Sequence, residues 1–126
     1  MGETIVQEKE FDLKNISQLG LIEKTKEILK GLSITLRSLT SSYQHKVLAG
    51  LPPESLDAFA RYSALQVETL VYATLNINGK KYDDINRVEL RPLYSQMQNK
   101  VLQEVYALYL EISKEQDEVI QSLKKT

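Results

Sequence analysis

The sequence predicts a mainly α protein: a small helical domain of about four helices with a long C-terminal helix, and a short β-strand or hairpin near residues 33–39. Three stretches carry that expectation. Residues 51–82 (LPPESLDAFARYSALQVETLVYATLNINGKKY) place Leu56, Phe59, Ala60, Val67, Leu70, Val71 and Leu75 at helical spacing. The opposite side carries Ala58, Tyr62, Leu65, Tyr72 and Ala73, so this helix is apolar around most of its circumference and is expected to be buried on several sides. Residues 92–124 repeat the pattern at Leu93, Met97, Val101, Val105, Leu108, Ile112, Val119 and Leu123. Residues 33–39 (SITLRSL) instead alternate polar and apolar, which is the period of a half-buried strand.

Taken in order, residues 1–14 read as an extended N-terminal arm, with weak strand signals at Thr4–Val6 and Phe11–Leu13 around charged Glu8, Lys9 and Glu10. Residues 15–126 read as one helical domain. Asn15 or Ser17 could cap an amphipathic helix from Leu19 to Leu32, its dry face Leu19, Leu21, Ile22, Ile28, Leu29 and Leu32, its wet face Glu23, Lys24, Lys26, Glu27 and Lys30, ended by Gly31. After the 33–39 strand, Thr40, Ser41 and Ser42 supply an N-cap for a short helix through Leu48, with Tyr43 and Val47 inward. Pro53 suits the first turn of the central helix. Asn78-Gly79 stops that helix or makes a tight turn, because both residues tolerate left-handed backbone. Asp83 or Asp84 caps a helix near Ile85, with a kink or restart at Pro92. A helix over 92–124 would run roughly 50 Å at 1.5 Å per residue, against a radius of gyration near ~14 Å for a compact domain of this size. Its end is therefore expected to overhang the core.

The totals bound the function. A chain of 126 residues is one domain's worth, and 42% hydrophobic with 26% charged residues is ordinary globular composition. Sixteen Lys and Arg against 17 Asp and Glu leave a net charge of −1, with no broad attraction for nucleic acid or anionic lipid. The absence of cysteine removes disulfides, thiolate zinc sites and thiol nucleophiles together. An acidic, polar N-terminus lacks signal-peptide character, and no stretch approaches a membrane span of roughly 20 apolar residues. The expectation is a soluble protein with no nucleic-acid and no membrane partner.

Chemical constellations are sparse. His45 is the single histidine and has neither a second histidine nor a cysteine to make a zinc site; it reads as a helix-surface residue. No G-x-S-x-G elbow or Gly-rich phosphate loop occurs, and the five glycines are scattered at element edges. Asp83-Asp84 and Glu89 fail the EF-hand pattern and read as helix capping. Glu104, Glu111, Glu115 and Glu118 line the outside of the last helix as a solvated face or a surface for a basic partner. No catalytic residue, cofactor or metal site is therefore expected, and the chain reads as a non-enzyme. Tyrosine is amphipathic and common where proteins meet but more often rims an intramolecular core; on the interface reading Tyr94, Tyr106 and Tyr109, with Ile112 and Val119, are the candidate protein-interface residues.

Several motifs together resemble a family. The run ITLRSLT with Leu36-Arg37-Ser38-Leu39-Thr40, the turn Val67-Glu68-Thr69-Leu70, Ile77-Asn78-Gly79, and the Val101–Tyr109 helix face are similar to small virion and tail-assembly proteins of tailed bacteriophages. Such proteins include tail assembly chaperones and baseplate-hub or neck components. The resemblance covers about two-thirds of the chain and implies a structural, oligomerising protein whose partners are virion or tail proteins or copies of itself. Leu36, Arg37 and Leu39 would then order the strand-to-helix junction. The alternative reading is a small helical adaptor or regulatory domain of a cellular pathway.

Overall fold

The computed structural model describes residues 12–53 and 57–124. Most of the 1–14 arm, including the Thr4–Val6 signal, and Leu56 of the central helix lie outside them. A 3-10 helix, Leu13–Gln18, opens the chain, with Asp12 accepting from the Lys14 N–H at its start. Then follow β1 (Glu23–Leu29), β2 (Leu32–Arg37), α1 (Ser41–Ala49), α2 (Ala58–Ala73), β3 (Thr74–Ile77), β4 (Lys80–Lys81), a 3-10 turn at Arg87–Glu89, α3 (Leu90–Ser95) and α4 (Asn99–Leu123). The four strands form one antiparallel sheet in the order β1-β2-β3-β4. The fold is thus mixed α/β, not the mainly α domain that the sequence predicts.

The largest correction is Leu19–Leu32, read as a helix and found as a turn plus an edge strand. Its Leu and Ile spacing fits helical geometry, and the period of two is masked at the positions facing the helices. There the half-buried residues are Lys24 and Ile28, while Glu23, Thr25, Glu27 and Leu29 are exposed. A lysine stem can lie on an apolar face while its ammonium reaches water, so an inward position of an edge strand need not look apolar. Gly31, at φ +86°, turns the β1–β2 hairpin rather than ending a helix. The second hairpin turns at Asn78 (φ 50°) and Gly79 (φ +90°), two left-handed residues as a type I′ turn requires. Asn78 also joins the hairpins: its side chain accepts from Ser33 N–H at 2.8 Å and donates to the Gly31 carbonyl at 3.0 Å.

The expected strand near 33–39 is present as β2, and the short helix begins as its cap predicts, with Thr40 Oγ1 accepting from Tyr43 N–H. The central helix starts later than Pro53 suggests, at Ala58, capped by Asp57, and its C-terminus runs directly into β3. One helix over 92–124 is replaced by two: Pro92 sits inside α3, the chain breaks after Ser95, and α4 restarts at Asn99. At 25 residues α4 is about 37 Å long. Its last turns lie on the chain's own N-terminal segment instead of overhanging. Gln116 Nε2 donates to the Gly20 carbonyl at 3.0 Å, Lys24 pairs with Glu115 at 3.0 Å, and Ile120 packs against Gly20.

Helices α2 and α4 pack on one face of the sheet. The core joins Ile34 and Leu36 of β2 to Leu70 and Val71 of α2, Leu90 and Tyr94 of α3, and Leu102, Val105, Leu108 and Ile112 of α4. Two glutamines clamp the helices within this packing: Gln66, buried on α2, and Gln103 on α4 exchange amide hydrogen bonds of 3.1 and 2.8 Å. A paired amide satisfies both donors and acceptors, which avoids the cost of burying Gln66 alone.

Candidate functional site

The C-terminus of α2 meets α1, β2 and the β4–α3 loop at one corner, where Arg37, Lys46 and Arg87 converge. Helix-end carbonyls lack partners within the helix and carry partial negative charge. Here arginines from distant segments supply the donors. Arg87, buried, donates from Nη1 to the carbonyls of Val71 (2.8 Å) and Thr74 (2.7 Å). Arg37 donates from Nη2 to the Tyr72 carbonyl at 3.2 Å. Arg37 leaves β2 beside fully buried Leu36 and so ties the strand to the end of α2.

Tyr43 is the hub of the corner. The Arg37 guanidinium lies 4.6 Å and the Lys46 ammonium 5.3 Å from its ring centroid, within cation–π range. Tyr72 lies beside it at 5.7 Å between centroids. The Tyr43 hydroxyl donates to Asp84 at 2.8 Å, and Arg87 Nε stands 3.6 Å from the same carboxylate. Asp84 is held below the usual carboxylate range by that hydroxyl first, then by Arg87, Lys46 and Arg37. Arg87 is shifted down, by burial first and by the neighbouring charge of Arg37 second. Three cations therefore share one carboxylate. The Nε atoms of Arg37 and Arg87 are buried without a hydrogen-bond partner among the described residues. A pocket of about 260 Å³ opens here, lined by Lys46, Tyr72, Asp84, Arg87, Val88 and Arg91 among others. Arg91 itself is committed elsewhere, in a two-point pair with Glu68 at 2.7 and 2.9 Å that raises its pKa. Gly50 is needed beside that pair, since a Cβ there would stand 2.6 Å from Glu68 Oε1.

The second surface is apolar and lies at the same C-terminal end of β2, on its β1 side, where Leu21, Ser38 and Leu39 line it. Leu13, Ile16 and Leu19 lie along short 3-10 turns that kink at Asn15, and all are exposed, as is Leu21. Ile120 and Leu123 of α4 are exposed nearby, across Gly20. A cleft of about 420 Å³ runs between Ile16, Leu19, Leu21, Leu39 and Gln116. Beside it, β1 leaves one edge without a strand partner among the described residues. That edge is guarded against copies of itself. A symmetric antiparallel pairing that keeps the helices on one face sets Lys against Lys whether it is centred on Lys24, Thr25 or Lys26, and like charges directly opposite destabilise a strand pair.

The sequence-derived interface residues are distributed differently. Tyr94 and Ile112 are fully buried and Tyr106 is 9% exposed, all inside the chain's own core. The Tyr94 hydroxyl, which an interface would have to satisfy, is 2.6 Å from Thr74 Oγ1, and burial pushes its pKa up to about 12. Tyr109 is half-buried and stacks on Tyr106 at 5.9 Å; Val119 is half-buried near the end of α4. These five residues do not form one exposed patch. His45 is exposed on α1, and Asp83 caps the turn by accepting from the Ile85 and Asn86 N–H groups. Among the described residues no group of three or more His, Cys, Asp or Glu is placed to hold a metal ion, and no helix is long and apolar enough to cross a membrane. Sequence reasoning missed Lys46, Glu68, Arg87 and Arg91. Glu68 carried a signal, an acid inside an apolar helical run; Arg87 carried none, because its acceptors lie on elements far away in sequence. No protein-family model, no curated protein and no solved structure matches this chain.

Proposed function

We propose that this chain is a non-enzymatic assembly component acting through protein–protein contacts, within the virion or tail (baseplate or hub) of a tailed phage. The contact role is carried by one observation: exposed Ile16, Leu19 and Leu21 line an open cleft against Gln116 of α4, with exposed Ile120 beside it at Gly20. Covering apolar surface stabilises a complex by roughly 25 cal/mol per Å² before the costs of association. The Gln116–Gly20 bond and the Lys24–Glu115 pair hold this surface in place on the body of the fold, so little ordering is needed on binding. The phage setting is supported by the resemblance of Leu36–Thr40, Val67–Leu70 and Ile77–Gly79.

The test is cross-linking of the tagged full chain in lysate of phage-infected cells, with its solution mass measured across a range of concentrations. Virion or tail proteins, or further copies of the chain, should be recovered through the 3-10 helix and the end of α4. Recovery of host pathway proteins alone would move the assignment to a cellular adaptor. A strict monomer that captures neither would overturn the assembly reading.

A further inference from the structure

We propose that the pocket between α1, the end of α2 and the β4–α3 loop receives a carboxylate side chain of a partner protein, an Asp or Glu flanked by apolar residues. Charge complementarity is the first argument. Arg37, Lys46 and Arg87 surround the single carboxylate of Asp84, whereas Arg91 already has Glu68. Lys46 makes no ion pair among the described residues, although it lines the pocket. The partial negative charge of the α2 C-terminus offsets about half an elementary charge, which leaves the corner cationic. The second argument is the under-used donor: Arg87 is 5% exposed and its Nε, 3.6 Å from Asp84 Oδ1, makes no hydrogen bond among the described residues. A buried donor left unmade is costly, and a hydrogen bond to a charged acceptor is among the strong ones. The third is the rim. Exposed Val88 and half-buried Tyr72 line the pocket beside Arg87 and Lys46. A charged floor within an apolar rim is the arrangement of an interface anchor, where surrounding contacts exclude water from a central polar group. The carboxylate would sit against Lys46 Nζ and Arg87 Nε, with Tyr72 walling one side.

This inference rests on the protein-binding reading above but names a different surface, so the two can fail separately. The probes are acetyl-Leu-Glu-Leu-amide, its Gln counterpart and inorganic phosphate, each titrated into the full chain while the Tyr43 and Tyr72 ring resonances are followed by NMR. The Glu peptide should shift both rings saturably and bind about tenfold more tightly than the Gln peptide, the discrimination expected when a charge-assisted hydrogen bond is lost. Lys46→Met should weaken the Glu peptide several-fold, and Asp84→Asn should tighten it; both positions are exposed, so the fold is retained. Equal binding of the two peptides, or no shift of the rings at millimolar Glu peptide, would overturn the proposal. Saturation by phosphate alone would overturn it in favour of a phosphate-bearing ligand. Failure of the cross-linking experiment with a positive titration would leave the pocket standing and remove only the phage assembly reading.

Discussion

The corner at the end of α2 and the apolar end beside Gly20 are both surface features, yet different forces hold them. At the corner, Arg37 and Arg87 reach from separate elements to carbonyls of one helix terminus, and Tyr43 and Asp84 hold them in turn. Each bond is directional, and removing one donor strands a buried acceptor. At the apolar end, the 3-10 helix is attached by one side-chain hydrogen bond to Gly20, one exposed ion pair and contacts of Ile120, while its leucines face outward. The corner is specified by polar satisfaction and tolerates little change. The apolar end is specified by what it leaves uncovered, so its residues can change with small effect on the fold and large effect on binding.

Arg87→Met should give the largest loss of stability, about 3 kcal/mol in denaturant unfolding, because the Val71 and Thr74 carbonyls lose buried, charge-assisted donors. A loss under about 0.5 kcal/mol would mean that water replaces Arg87 and that the corner is no more constrained than the apolar end. Tyr94→Phe tests the core beneath the corner and should cost about 1 kcal/mol at neutral pH through the lost bond to Thr74. Its pH signature has a definite sign. The folded pKa, about 12, lies above the ordinary value of 10.0, so the unfolded chain releases its proton first. The stability Tyr94 contributes is present below pH 10 and is lost as pH rises from about 10 towards 12. Alkaline unfolding followed by circular dichroism should lose part of that slope in the Phe variant.

At the apolar end, the pair Ile120→Asp and Leu123→Asp should change unfolding by no more than about 0.5 kcal/mol, as exposed substitutions do. Sedimentation or cross-linking should nevertheless lose partner contacts through this surface. A cooperative loss of helicity would show that the residues serve the fold. The smallest effect is expected from Asp84→Asn, because Asp84 is largely exposed. Its folded pKa lies below the ordinary 3.8, so its contribution is present above about pH 4 and is lost as pH falls through the depressed value. The stability difference between wild type and variant should therefore shrink towards zero in acid. A difference independent of pH would mean that the Asp84 charge plays no part in the corner.

Local chemistry made some of this legible. Thr40 at the start of α1, Asn78-Gly79 at a tight turn, the alternation in β2 and the apolar run of α2 each state their structure within a few residues, where backbone sterics and side-chain period decide. Gln116, which interrupts the apolar pattern of the last helix, is explained by its bond to Gly20. Leu19–Leu32 was misread because an edge strand with Lys24 facing inward shows no apolar alternation. A tyrosine is ambiguous for a related reason: a phenol suits an interface or a core equally, and a partner 20 residues away, Thr74, places Tyr94 in the core.

By itself, then, the sequence determined the Thr40 cap, the Asn78-Gly79 turn, α1, the body of α2 and β2, together with a composition free of thiol chemistry. Only the tertiary structure decided that residues 23–29 pair as a strand, that Arg37 and Arg87 close the end of α2, and that Tyr106 and Ile112 face inward. The physical reason is range. Capping and turn preferences act over a few residues of chain, whereas strand pairing, carbonyl capping by a distant arginine and burial depend on which elements meet, and that is settled by the fold as a whole.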